Sequence, residues 1–232
     1  MRNEKAVILL KCLLIVFIMV VPNLFSSAYA LQNNYQDLLA FELNGYSALS
    51  WLIMAVQVSF PVLLLIFISG ESFAFYGFTK IKLKEFIFSL LRLVALFLVF
   101  LFIIGLISNV IESISGKEAD ADVMENQFKI GGSNVVMILL NIVPIILMAF
   151  TEELCFRSYL FLNLRKIIKN EWVCIIICNV LFSIYHIYQG IASTILVFFI
   201  GLVFSMEFRK HKNIYTITTI HAFWNIIMFS LY

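Results

Sequence analysis

Apolar residues run through this chain in long blocks separated by short clusters of charge. Seven blocks stand out, at about 6–30, 47–69, 86–108, 133–162, 172–188, 191–207 and 213–231. A helix rises about 1.5 Å per residue, so each block can cross a hydrocarbon layer about 30 Å thick. The fifth and sixth are short and need local thinning or polar ends. Backbone groups in lipid must be satisfied within their own segment, so helices are the predicted elements. The expected fold is all-α, a polytopic membrane helical bundle of about seven transmembrane helices. It forms one integral membrane domain, 1–232, whose polar residues of interest lie at 133–231. Pro22, Pro61 and Pro144 all fall inside blocks, and Pro144 is expected to kink the fourth helix.

Composition supports the blocks. The chain is 62% hydrophobic and 13% charged, against about 45–50% and about 25% in soluble domains. A net charge of +2 gives no reason to expect a nucleic-acid partner. Cys12, Cys155, Cys174 and Cys178 lie in or beside apolar blocks, without the spacing of a redox or zinc pair, and read as core residues.

Charge adds orientation. Of the 16 basic residues, all but Lys117 and Lys129 gather at one set of block ends: Arg2 to Lys11, Lys80 to Arg92, Arg157 to Lys169 and Arg209 to Lys212. The opposite ends carry Gln32–Tyr46, without Lys or Arg, and the acidic stretch Asn109–Gly132. The positive-inside rule then predicts a multi-pass cell-membrane protein with a cytoplasmic N-terminus and Tyr232 outside. The first block has two readings. It is a first transmembrane helix, or a secretory signal ending at Ala28-Tyr29-Ala30.

Against this background a few polar residues stand out. Glu152 and Glu153 sit inside the fourth block, where a carboxylate costs roughly 2.5 kcal/mol or more. His186 closes the fifth block, and His221 and Asn225 lie in the seventh. Measured from Leu164, Trp172 and Asn213, the helical rises to Glu152, His186, His221 and Asn225 are about 18, 21, 12 and 18 Å. Three helices thus bring polar groups to a common depth. Glu153 and Arg157 are four apart and share a face, so they are expected to pair. Glu152 is rotated about 100° away and left as the freer carboxylate, a candidate general base. His221 and Asn225 also share a face and could stabilise an oxyanion together. His211, among Arg209, Lys210 and Lys212, is expected to be solvated and without chemistry.

Glu152-Glu153-x-x-x-Arg157, Phe182-x-x-x-His186 and His221-x-x-x-Asn225, in that order on successive helices, resemble the motifs of the CPBP family. These are CAAX-processing and bacteriocin-processing intramembrane endopeptidases, also called Abi proteins. The motifs occupy 152–225, roughly the C-terminal third. The resemblance implies an intramembrane protease with its active site in a conical cavity. Glu152 would activate water with help from His186, His221 and Asn225 would form the oxyanion hole, and Glu153 and Arg157 would support them. The implied partners are a membrane-associated peptide or protein substrate and the lipid bilayer. The family has been viewed first as metal-dependent, later as glutamate-dependent. No metal is assigned here and no cofactor is expected, since HExxH is absent and Asn is a poor ligand. Glu152, His186 and His221 could still surround one zinc ion.

Other proteolytic designs fit less well. There is no Gly-x-Ser-x-Gly turn and no aspartate in any block. Two non-proteolytic readings stay open: an immunity or binding protein of the same fold, and a transporter with a Glu/His proton relay.

Overall fold

The computed structural model describes residues 2–25, 45–115, 135–187 and 191–231. Among them are seven helical rods and no strand. They are α1 (Arg2–Met19), α2 (Gly45–Ile68), α3 (Leu83–Ser115), α4, α5 (Glu171–Tyr185), α6 (Ile191–His211) and α7 (Ile214–Leu231). The α4 rod begins as Val135–Glu153, passes through a π-helical stretch at Leu154–Leu160, and ends as Phe161–Ile167. The Ala28-Tyr29-Ala30 site, most of Gln32–Tyr46, the polar segment 116–134 and Tyr232 lie outside the described residues.

Each apolar block corresponds to one rod, with local differences. The α3 helix runs on to Ser115, because no glycine or proline stops it between Asn109 and that residue. Regular bonding in α1 breaks after Met19, just before Pro22, whose ring nitrogen cannot donate a helical hydrogen bond, and helix resumes at 21–25. The α4 rod continues through Pro144, and its departure from α-helical bonding lies further on, at Leu154–Leu160.

The α4 rod is the axis of the bundle. Every residue from Thr151 to Leu164 is buried, and α1, α2, α5 and α7 pack around it. Ile15 and Met19 of α1, Val62 and Ile66 of α2, and Cys178 and Phe182 of α5 share one apolar cluster with Phe156, Tyr159 and Leu160. The first helix is therefore part of the core. Outward faces are apolar as well: Leu10, Phe17, Phe60, Phe67 and Phe102 are all exposed. Water would penalise so continuous an apolar belt, and a bilayer does not. Three described helices are long and apolar enough to cross a membrane, at Asn3–Phe25, Ala48–Ile68 and Leu139–Ile167. The molecule is a helical membrane bundle.

At the Lys- and Arg-rich end, the segment between α2 and α3 clasps two other elements. Ser158 of α4 donates to the Tyr76 carbonyl at 2.6 Å, and the Tyr76 ring stacks on Tyr159. Gly77 has φ +90°, and its carbonyl accepts from the Ile214 amide at 2.9 Å. A Cβ there would stand 2.8 Å from the Phe208 ring. Asn213 joins the α6–α7 turn to this segment. Its amide donates to the carbonyls of Thr79 and Lys80, while its Oδ1 caps α7 by accepting from the Thr216 amide at 2.8 Å.

His211 is not the solvated residue expected from its basic neighbours. The helix of α6 extends beyond the predicted 207, so Glu207 and His211 fall one turn apart on a face toward α3. His211 Nδ1 lies 3.3 Å from Glu85, and its side chain is only 13% exposed. Arg92 grips Glu207 with two nitrogens, each at 2.8 Å, and Ser89 donates to the same carboxylate. A hydrogen bond from Lys82, with His211 nearby, holds the Glu85 carboxyl below its ordinary range. The stabilisation it contributes is present at neutral pH and fades as pH falls through that lowered value.

Replacing Asn213 by Ala should remove the cap and the clasp together. The cap alone is worth about 1 kcal/mol. The expected outcome is a lower thermal unfolding temperature in detergent, with Asn213→Asp, which keeps the cap, falling between the variant and the wild type.

Candidate active site

Glu152 and Glu153 are the last residues of the α-helical part of α4, next to the π-helical turn. π-Helical stretches often occur at functional sites. All seven residues of this one, Arg157 among them, are buried. The α5 helix ends at Tyr185, and His186 is its C-cap with φ −95° and ψ 13°. That break turns the His186 ring back on its own helix, where Nδ1 lies 2.9 Å from the Phe182 carbonyl. His221 comes from the middle of α7.

The three helices α4, α5 and α7 bring these groups together. Arg157 pairs with Glu153 at 3.2 Å, as their spacing predicts. His221 Nδ1 lies 2.7 Å from the same Glu153 oxygen, a contact the sequence did not suggest. His221 Nε2 then points at Glu152 Oε2, 3.6 Å away, and His186 Nε2 approaches the same oxygen to 3.9 Å. Because Nδ1 of His186 must donate to a carbonyl and Nδ1 of His221 to a carboxylate, each ring turns Nε2 to the centre. Glu152 Oε2 is buried and has no hydrogen-bond partner among the described residues. Asn225, one turn beyond His221, is half-buried. The Glu152 and His186 side chains keep 8% and 11% exposure, so the centre is closed but not sealed.

A second group of residues holds Arg157, and of these the sequence reading named only Phe182, as a motif residue. The Arg157 Nη2 donates to the Gly201 carbonyl of α6 at 3.3 Å and to Asn179 Oδ1 of α5 at 3.5 Å. Asn179 in turn donates to Ser205 at 2.9 Å and to the Ile175 carbonyl at 2.8 Å. The Phe182 ring lies 4.0 Å beneath the guanidinium. Gly201 leaves room for this approach: a Cβ there would stand 2.5 Å from Asn179 and 2.9 Å from Arg157. An amide inside an apolar block was the available signal for Asn179. The Gly201 carbonyl had none.

Among the described residues no group of three His, Cys, Asp or Glu side chains is placed to hold a metal ion. The remaining polar side chain, Asn225, is a poor ligand for zinc.

A buried carboxylate facing two imidazoles inside a helical bundle can exchange a proton with a water molecule held between them. Residues 134–227 match the family model described as Type II CAAX prenyl endopeptidase Rce1-like. The matched stretch includes all seven motif residues, and in this part the chain is similar to that family. Comparison with curated proteins returned no match, and neither did comparison with solved structures.

Two stability predictions follow from the clamp. Gly201→Ala should destabilise by about 1–3 kcal/mol through overpacking. Glu153→Gln should cost more, about 3–5 kcal/mol, because it leaves Arg157 as an unpaired buried charge. Thermal unfolding of both variants in detergent measures the order.

Proposed function

We propose that this protein is an intramembrane endopeptidase that hydrolyses a peptide bond of a membrane-associated protein or peptide. The observation that carries the reading is the orphaned Glu152 Oε2, with two imidazole Nε2 atoms at 3.6 and 3.9 Å. Glu152 Oε2 and His186 Nε2 are two acceptors facing one another, and a water molecule between them supplies the proton they share. Glu152 is then the general base and His186 the group that orients the water. The water oxygen attacks the carbonyl carbon, and its proton passes to Glu152. The carbon–nitrogen bond breaks as that proton moves on to the leaving amine.

Charge on the carbonyl oxygen falls to His221 and Asn225. With Nδ1–H held by Glu153, a protonated His221 can present Nε2–H to the oxyanion, and the Asn225 amide offers a second donor. Glu153 contacts Arg157 and His221 at once, and with Glu152 it supplies the two negative charges that balance them. We read the reaction as metal-independent, since Glu152, His186, His221 and Asn225 suit proton transfer better than zinc. The basic ends of the helices are assigned to the cytoplasm by the positive-inside rule. The description of the matched family makes a prenylated peptide the first substrate to try.

The decisive comparison is membrane peptidomics of cells carrying the wild type or Glu152→Gln. Glu152→Gln keeps shape and hydrogen bonding but removes the base, so it should insert normally and lose about 10²–10⁴-fold in cleavage. Uncleaved precursors should accumulate in its membranes. Identical peptide profiles, with any protective phenotype kept, would instead identify a binding protein of this fold. Turnover by the wild type should persist after exhaustive chelation.

A further inference from the structure

One oxygen of Glu153 is asked to do two things. Oε1 takes the Arg157 Nη1 at 3.2 Å and His221 Nδ1 at 2.7 Å, while Oε2 has no partner among the described residues. Left to itself a guanidinium prefers a carboxylate bidentately, through two parallel bonds. It does not do so here, because Nη2 is drawn the other way, to Asn179 Oδ1 and the Gly201 carbonyl. Asn179 is itself fixed by its bonds to Ser205 and Ile175. The Phe182 face beneath the guanidinium limits its rotation.

We propose that Asn179 is a positioning residue: with the Gly201 carbonyl it anchors Arg157 Nη2, so that Nη1 alone holds Glu153 Oε1 in the place where that oxygen also accepts the His221 Nδ1–H, and so fixes His221 Nε2 toward Glu152. The polar chain runs from Ser205 through Asn179, Arg157, Glu153 and His221 to Glu152, crossing from α6 through α5 and α4 to α7. Asn179 touches no reacting atom and acts only through this chain. Its catalytic consequence rests on the protease reading, but its structural consequence does not.

The chain has only three histidines, so ¹⁵N-histidine labelling in proteoliposomes reports His186, His211 and His221 alone. Single His→Gln variants assign the three. In the wild type His221 should show a protonated, strongly hydrogen-bonded Nδ1. Asn179→Leu fills the same space without an acceptor and should abolish that His221 signature, leaving the His186 signal unchanged. Asn179→Asp keeps the acceptor and should retain it. Asn179→Ala makes the same comparison if the leucine variant does not assemble. An unchanged His221 signal without the Asn179 acceptor, or equal loss in the acceptor-free and aspartate variants, would overturn the proposal. With a farnesylated CAAX peptide as probe, Asn179→Leu should lower kcat and leave KM unchanged; a thermal shift without a kcat change means a merely structural role. Glu152→Gln, run alongside, separates the two ideas: full turnover there sinks the protease reading while the His221 signature still decides the role of Asn179.

Discussion

A charge taken out of water has to be answered from within the protein, and here the charge is Arg157. Burying a guanidinium costs several kcal/mol unless its donors find acceptors. Its side chain is 1% exposed, and its partners come from three helices: Glu153 on its own rod, Asn179 on α5 and the Gly201 carbonyl on α6. That set of bonds settles how α4, α5 and α6 sit against each other in the motif-bearing half. A dispersive contact can slide by a fraction of an ångström at little cost. Directional hydrogen bonds from a buried guanidinium to Asn179 and Gly201 cannot, so the register of α5 and α6 against α4 follows from them.

The same constraint separates two adjacent carboxylates. Glu153 is spent on charge balance and on His221. Glu152, one residue earlier, lies near the two Nε2 atoms and keeps an oxygen without a hydrogen bond. Neighbours in sequence become unlike in chemistry because successive helical residues face different directions. Apolar packing around them, from Phe182 and Phe204 against the His221 ring, keeps the dielectric low. Electrostatic interactions in such surroundings are stronger than in water. At the opposite boundary, the Arg92–Glu207 and His211–Glu85 contacts attach α3 to α6 near solvent, where screening makes each pair weaker.

Much of this was readable from one dimension of information. Length and apolarity of the blocks dictated the rods, because lipid leaves the backbone no other way to satisfy its hydrogen bonds. The Glu153–Arg157 pair was legible since both partners lie within one turn. A shared depth for Glu152, His186 and His221 came from counting residues along straight helices. Where the count was misleading, the cause was an unforeseen helix end: α6 runs on to His211 and turns its ring toward Glu85.

Contacts between residues far apart in the chain belonged to the tertiary structure. His221 and Glu153 are 68 positions apart, and no periodicity links them. Gly201 contributes a backbone carbonyl, which every residue has, so its type signalled only that space was needed. The π-helical stretch after Glu153 is likewise invisible in an apolar run. The amino-acid order determined which helices exist and which polar groups they carry to mid-membrane, because both depend on local spacing and transfer free energy. The rotation of each helix about its axis decided which of those groups meet, because it is set by packing and charge pairing across all seven rods.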